Sequence, residues 1–225
     1  MSWFSDISRS AVGKKAVMAV TGIILFGFVL THMIGNLKLY EGPDKLNNYA
    51  GWLREVGSPA VPTSGLLWLA RLVLLTAVVL HIWAAWQVTR MSRGARPQRY
   101  SKRRPVRMTY ASRTMRWGGV IILLFVIYHL LHLTTGTVHN NFIKDDVYHN
   151  VVAGFRVWWV SLFYIVAQVA LGFHLYHGLW SMFQSLGWNQ PRFNPWRRWF
   201  AYAFAWIITL GNISFPVAVL TGIIS

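Results

Sequence analysis

The chain has 225 residues, 55% of them hydrophobic and only 12% charged, with a formal net charge of +16. That balance excludes an ordinary soluble domain, and gathering of the cations into a few loops argues against nucleic acid as the partner. Cysteine is absent, so disulfides, thiolate metal sites and iron–sulfur ligation by this chain are excluded.

A helix crossing a bilayer needs about 20 apolar residues. Five segments qualify: about Ala16–Leu37, Leu66–Val88, Trp117–Val138, Val157–Leu186 and Trp199–Ile224. None shows the period of two that a membrane β-barrel requires, so helices are predicted. Arg9, Lys14 and Lys15 precede the first segment. It is too long for a cleavable signal and is expected to stay as a helix. It carries Gly22 and, ten residues on, His32. In the following loop Lys38, Lys45 and Arg54 balance Glu41, Asp44 and Glu55. Gly42-Pro43 and Pro59 to Pro62 mark turns there, around a short surface helix at about Lys45–Glu55. The second segment carries Arg71 and His81. After it come Arg90, Arg93, Arg96, Arg99, Lys102, Arg103, Arg104, Arg107, Arg113 and Arg116, with no acid among them.

The third segment repeats the layout of the first, with Gly119 ten residues before His129, and adds His132. The next loop is again balanced, Lys144 and Arg156 against Asp145 and Asp146, and holds His139 and His149. The fourth segment carries Ala167, Ala170, His174 and His177. Arg192, Arg197 and Arg198 follow it. The fifth has no histidine, and Pro216 in it predicts a kink. The basic loops alternate with the balanced ones, so the positive-inside rule predicts a cytoplasmic N-terminus and an outer C-terminus. The basic side suits lipid headgroups and is compatible with a soluble partner. Short loops make consecutive helices antiparallel neighbours. The prediction is one all-α integral membrane domain over residues 1–225, with the first four helices in an antiparallel bundle and the fifth peripheral.

Each of the first four segments thus carries histidine, and none contains Asp or Glu. At a rise of about 1.5 Å per residue, His32 stands roughly 26 Å above the basic end, His129 roughly 20 Å and His132 roughly 24 Å. His81 and His177 stand roughly 14 Å above it. An outer pair from segments one and three therefore lies over an inner pair from two and four, each pair across a diagonal. Opposed imidazoles at two depths in an apolar bundle suit two haems b, each iron six-coordinate and serving electron transfer. Gly22 and Gly119 fall near the inner level, where a missing side chain gives a porphyrin room. Arg71 lies near the outer level, within reach of a haem propionate. The Gly-to-His repeat selects His129 over His132, and depth selects His177 over His174. The spare histidines, a turn away on the same faces, are left for a propionate or a backbone carbonyl.

The stretches TGIILFGFVLTHMIGNL, LLWLARLVLLTAVVLHIW, GGVIILLFVIYHLLHL and HLYHGLWSMFQSLGW resemble the two-haem cytochrome b anchors of succinate dehydrogenase and fumarate reductase, in the branch with one five-helix polypeptide. The resemblance implies His32 with His129 on the outer haem and His81 with His177 on the inner. It also implies a bacterial cytoplasmic membrane, and a flavoprotein and an iron–sulfur subunit docked on the basic side. A quinone, commonly menaquinone, would be the redox substrate, and no succinate chemistry would occur in this chain. Some relatives have a glutamate two residues before the inner ligand; here that place is Leu175. Glu55, at the outer end, is the candidate to exchange the quinone's proton. A di-haem subunit of a hydrogenase or formate dehydrogenase shares the ligand logic, and a haem-free transporter is the alternative of another class.

Overall fold

The computed structural model of the chain describes residues 10–95 and 110–225, with side chains from residue 114 in the second stretch. Arg9 and the run from Arg96 to Arg107 lie outside the described residues, as does the Arg113 side chain. All the regular structure described is helical, and five helices are long and apolar enough to cross a membrane.

Helix α1 (Ala11–Asn36) is started by Ser10, whose hydroxyl accepts from the Gly13 N–H at 2.9 Å. It tightens into a 3-10 turn over Leu37–Glu41. Gly42, at φ 97, then turns the chain into α2 (Pro43–Glu55), the surface helix expected from the sequence. Proline suits that first helical position because its missing N–H would have had no partner there. Helix α3 (Gly65–Gly94) and helix α4 (Tyr110–His129) both run past their apolar segments into the basic loop. Arginine is a good helix former, and outside the hydrocarbon its charge costs nothing, so counting apolar residues cuts these helices short. Helix α4 does not end at His129 but widens into a π-helical turn over Leu130–Thr134, closed by the Thr135 N–H on the Leu130 carbonyl at 2.9 Å. A second surface helix, α5 (Val147–Arg156), was not expected. It leads through one extended residue, Val157, into α6 (Trp158–Ser185). Helix α7 (Asn194–Leu220) continues through Pro216.

Helix α1 packs along α3, and α4 packs along α6. The two hairpins meet through α1 and α6, while α3 and α4 are not closely packed together. The diagonals α1/α4 and α3/α6 therefore face one another across the bundle. Helix α7 lies at the side, against α6 and, more lightly, α1 and α5. Small residues bring α6 and α7 close. Ala201 and Ile208 are wholly buried, and a Cβ added to Gly172 would run into the Thr209 hydroxyl.

Helices α2 and α5 pack together at the end opposite the basic loops. Asp146 caps α5, accepting from the His149 N–H at 3.0 Å, and accepts from the Asn47 amide at 2.9 Å. Asn47 in turn accepts from the Tyr148 N–H at 3.0 Å, and Arg54 pairs with Asp145 at 2.8 Å. The hydrogen bonds from the His149 backbone and Asn47 hold the Asp146 carboxyl below its ordinary value of 3.8. Asp146→Ala should cost about 1 kcal/mol, as for other lost N-caps. Because the folded-state pKa is depressed, Asp146's contribution is present above the ordinary value and lost only as pH falls below it. Thermal unfolding of wild type and variant at neutral pH and near pH 3 checks both statements.

Candidate functional site

The four diagonal histidines meet in two pairs. The rings of His32 on α1 and His129 at the end of α4 have centroids 5.9 Å apart at 83°. Nearer the basic end, the rings of His81 on α3 and His174 on α6 are 6.3 Å apart at 58°. His174, and not His177, is thus the ring set opposite His81. The helix ends explain the difference from the depth estimate. His81 lies thirteen residues before Gly94, His174 eleven before Ser185 and His177 only eight. Starting the count at Arg90 made His81 look shallower than it is.

Neighbouring hydroxyls fix which ring nitrogen faces the bundle. The Thr21 hydroxyl donates to the Val17 carbonyl at 2.8 Å, so toward His81 Nδ1, at 3.1 Å, its oxygen is free to accept. Nδ1 then carries the proton and Nε2 keeps its lone pair, the form that ligates a metal. Tyr164 on α6 does the same at the outer level. Its hydroxyl stands 3.0 Å from His132 Nδ1 and 3.4 Å from His129 Nδ1. One hydroxyl hydrogen can serve only one of them. Of the two arrangements that satisfy all three groups, donation to His132 with acceptance from His129 is the one that leaves His129 Nε2 free. Phe28 stacks on His32 at 5.2 Å, and Phe125 lies 5.7 Å from His129. Tyr164 and Thr21 were not singled out in the sequence. Tyr164 stands ten residues before His174 on a descending helix, which already places it at the outer histidine level.

The glycines lie at the inner level. A Cβ on Gly22 would stand 3.6 Å from His81 Cε1, and one on Gly119 would stand 3.8 Å from His174 Cε1. Each is thus beside the inner histidine of its own hairpin. Ala167 is buried, and the Ala170 carbonyl faces Gly118.

His132 does not share His129's face, contrary to expectation. The π turn widens the helix by one residue per turn and swings His132 out of the bundle toward α5. There it is 2% exposed and stacked on His139 at 4.7 Å, against Gly154. His139 accepts from the Asn141 N–H at 3.1 Å and donates from Nε2 to the Asn150 carbonyl at 2.9 Å. Arg71 is exposed, with its guanidinium over the Trp68 ring at 4.8 Å. Glu55 is the exposed last residue of α2.

Among the described residues no three His, Cys, Asp or Glu side chains converge on one metal position. The donors come in twos, which suits an iron whose other four positions are porphyrin nitrogens. Two imidazoles on opposite sides of one metal, with bonds of about 2 Å each, have ring centres about 6 Å apart. Both pairs fit that separation. The buried His174 Nδ1 also has no hydrogen-bond partner.

A family model described as the succinate dehydrogenase/fumarate reductase transmembrane subunit matches residues 89–212, more than half of the chain. The chain belongs to this family. No curated protein and no solved structure gives a significant match. This succinate dehydrogenase/fumarate reductase transmembrane subunit is therefore a multi-pass membrane component of an oxidoreductase complex. The matched region takes in His129, His132, His174 and His177, and leaves His32 and His81 outside it.

The close seat of His132 gives a prediction. A Cβ on Gly154 would come within 2.6 Å of His132 Cε1 and 3.2 Å of His139 Nε2, two rings already in contact. Gly154→Ala should destabilise the protein by about 1–3 kcal/mol, the range for overpacking. Thermal unfolding measures it, and His132→Ala in the same chain should restore most of the loss.

Proposed function

We propose that this chain is a two-haem cytochrome b anchor that relays electrons between an iron–sulfur subunit and membrane quinone. The observation that carries the reading is the pairing of His32 with His129 and of His81 with His174, across both diagonals, at a separation fitting one iron per pair. In this assignment His174 takes the ligand role that the resemblance gave to His177. His177, a turn nearer the basic end, takes the polar role first given to His174. A bis-imidazole haem supplies one-electron transfer with no open position for oxygen.

The chain's own residues do the rest. Tyr164 and Thr21 hold His129 and His81 in one tautomer and one ring orientation, as the outer partners of metal-bound imidazoles do. Gly22 and Gly119 keep the inner level clear of side chains. Arg71 forms no ion pair among the described residues and is the cation available to a propionate at the outer level. The basic end, with Arg90, Arg93 and Arg116, docks the iron–sulfur subunit that carries electrons from a flavoprotein. The membrane is the cytoplasmic membrane of a bacterium and the quinone is menaquinone, with Glu55 placed at the far end to exchange its proton with water.

Haem counts on the complex purified from membranes test this. Wild type should hold two haems per chain, reducible by succinate. His32→Ala and His129→Ala should each keep only the inner one, and His81→Ala and His174→Ala should lose it. Loss of the inner haem in His177→Ala with retention in His174→Ala would reverse the assignment on α6. A colourless wild-type complex would end the two-haem reading, and reduction by hydrogen or formate instead of succinate would move the chain to another respiratory complex. Tyr164→Phe should retain both haems but shift the potential and absorption of the outer one alone, because His129 is the one proposed ligand that bonds Tyr164.

A further inference from the structure

At the basic end, where α6 hands over to α7, one arginine is in a position that membrane energetics does not tolerate alone. Arg197 is 3% exposed. Its Nη2 donates to the Asn189 side-chain oxygen at 3.3 Å and to the Gln190 carbonyl at 3.4 Å. Its Nε and Nη1 are buried with no acceptor. The Asn194 Oδ1, on the first turn of α7, is likewise buried with no donor. Trp180 of α6 lies under both Arg197, at 5.6 Å, and the exposed Arg198, at 5.2 Å. A buried guanidinium with two donors unused calls for an anion. The described residues offer none at this end, since Glu41, Asp44, Glu55, Asp145 and Asp146 all lie in the two loops of the opposite side.

We infer that Arg197 and Asn194 form a binding site for the headgroup of an anionic phospholipid, with the phosphodiester charge against the unsatisfied Arg197 guanidinium and a headgroup hydroxyl donating to Asn194 Oδ1. The depth favours a lipid over a protein carboxylate. Trp188, Trp196 and Trp199, close to Arg197 in sequence, are 62–69% exposed. Exposed indoles at the end of a span mark the headgroup layer. A lipid phosphate already lies at that level, whereas an acidic side chain of a soluble subunit would have to reach into it. Arg198, over the same indole and open to solvent, adds positive charge at the mouth. The hydroxyl requirement names the class more narrowly, as a polyol headgroup such as phosphatidylglycerol. The site is independent of the histidine pairs, and its test does not depend on haem.

The complex is purified from membranes, delipidated and returned to bilayer discs of phosphatidylcholine, with or without one fifth phosphatidylglycerol. Native mass spectrometry counts retained lipid, and thermal unfolding is followed in each disc. Wild type should retain phosphatidylglycerol through delipidation and unfold at a higher temperature in the discs that contain it. Arg197→Gln should lose both effects while keeping the haem content of the wild type. Asn194→Ala leaves the charge unchanged and should retain less phosphatidylglycerol than wild type; retention equal to wild type would remove Asn194 from the site. The inference is overturned if Arg197→Gln retains the same lipid and the same thermal response. It is also overturned if inorganic phosphate alone reproduces the stabilisation, which would make the ligand a free anion. Loss of the soluble subunits from Arg197→Gln with lipid retention unchanged would assign the arginine to subunit docking instead. Asp6→Asn, which alters the one acid preceding α1, should leave lipid retention unchanged; a gain in lipid retention over wild type would show that the chain supplies its own anion.

Discussion

Hydrocarbon offers no hydrogen bonds, and the architecture follows from that deprivation. Every backbone N–H and C=O in the spans must be satisfied within its own helix, which makes the fold all-helical. Each side-chain polar atom must likewise find a partner inside the bundle or leave it. Thr21, Thr31, Thr89 and Thr209 answer by turning their hydroxyls back onto their own helices. Imidazole cannot do this with both ring nitrogens. His81 and His129 use Nδ1 on neighbouring hydroxyls, and the second nitrogen of each is what a metal ligand would use.

The same constraint separates histidines that look alike in the sequence. His129 and His132 are three residues apart and in an ordinary helix would lie on one side. The π turn at Leu130–Thr134 divides them. One ring is directed across the bundle toward His32, and the other into the polar cap formed by α5, His139 and Asn150. Tyr164 touches both. A single hydroxyl therefore ties the outer pair to the water-facing cap, so packing of the surface helices and orientation of His129 are parts of one structure. On the inner level the equivalent tie is shorter, from Thr21 to His81 within one hairpin.

At the two ends of the bundle, charge is handled differently. The far end mixes signs: Asp146 caps a helix, Asn47 bridges two helices, and Arg54 meets Asp145. At the basic end aromatic rings take up part of the burden of charge, as with Arg90 over Trp86 and Arg197 over Trp180. Exposed arginines such as Arg90 remain solvated. Arg197 does not, and this is why it stands out from the other charges at this end.

Composition and spacing were enough to determine the five spans, the helical structure of the described residues, a short surface helix at about Lys45–Glu55, and histidine on each of the first four spans. These depend on local chemistry: apolar run length, turn residues and the rise per residue of a helix. The His32–His129 juxtaposition was also legible, because the ten-residue Gly-to-His interval occurs twice. Three features were decided only by the tertiary structure. The partner of His81 depended on where α3 ends, and arginines carry that helix beyond its apolar run to Gly94. The separation of His132 from His129 depended on a π turn, which has no periodicity to read in five residues. The isolation of Arg197 depended on how α7 settles against α6, since burial is a property of neighbours and not of the residue that is buried.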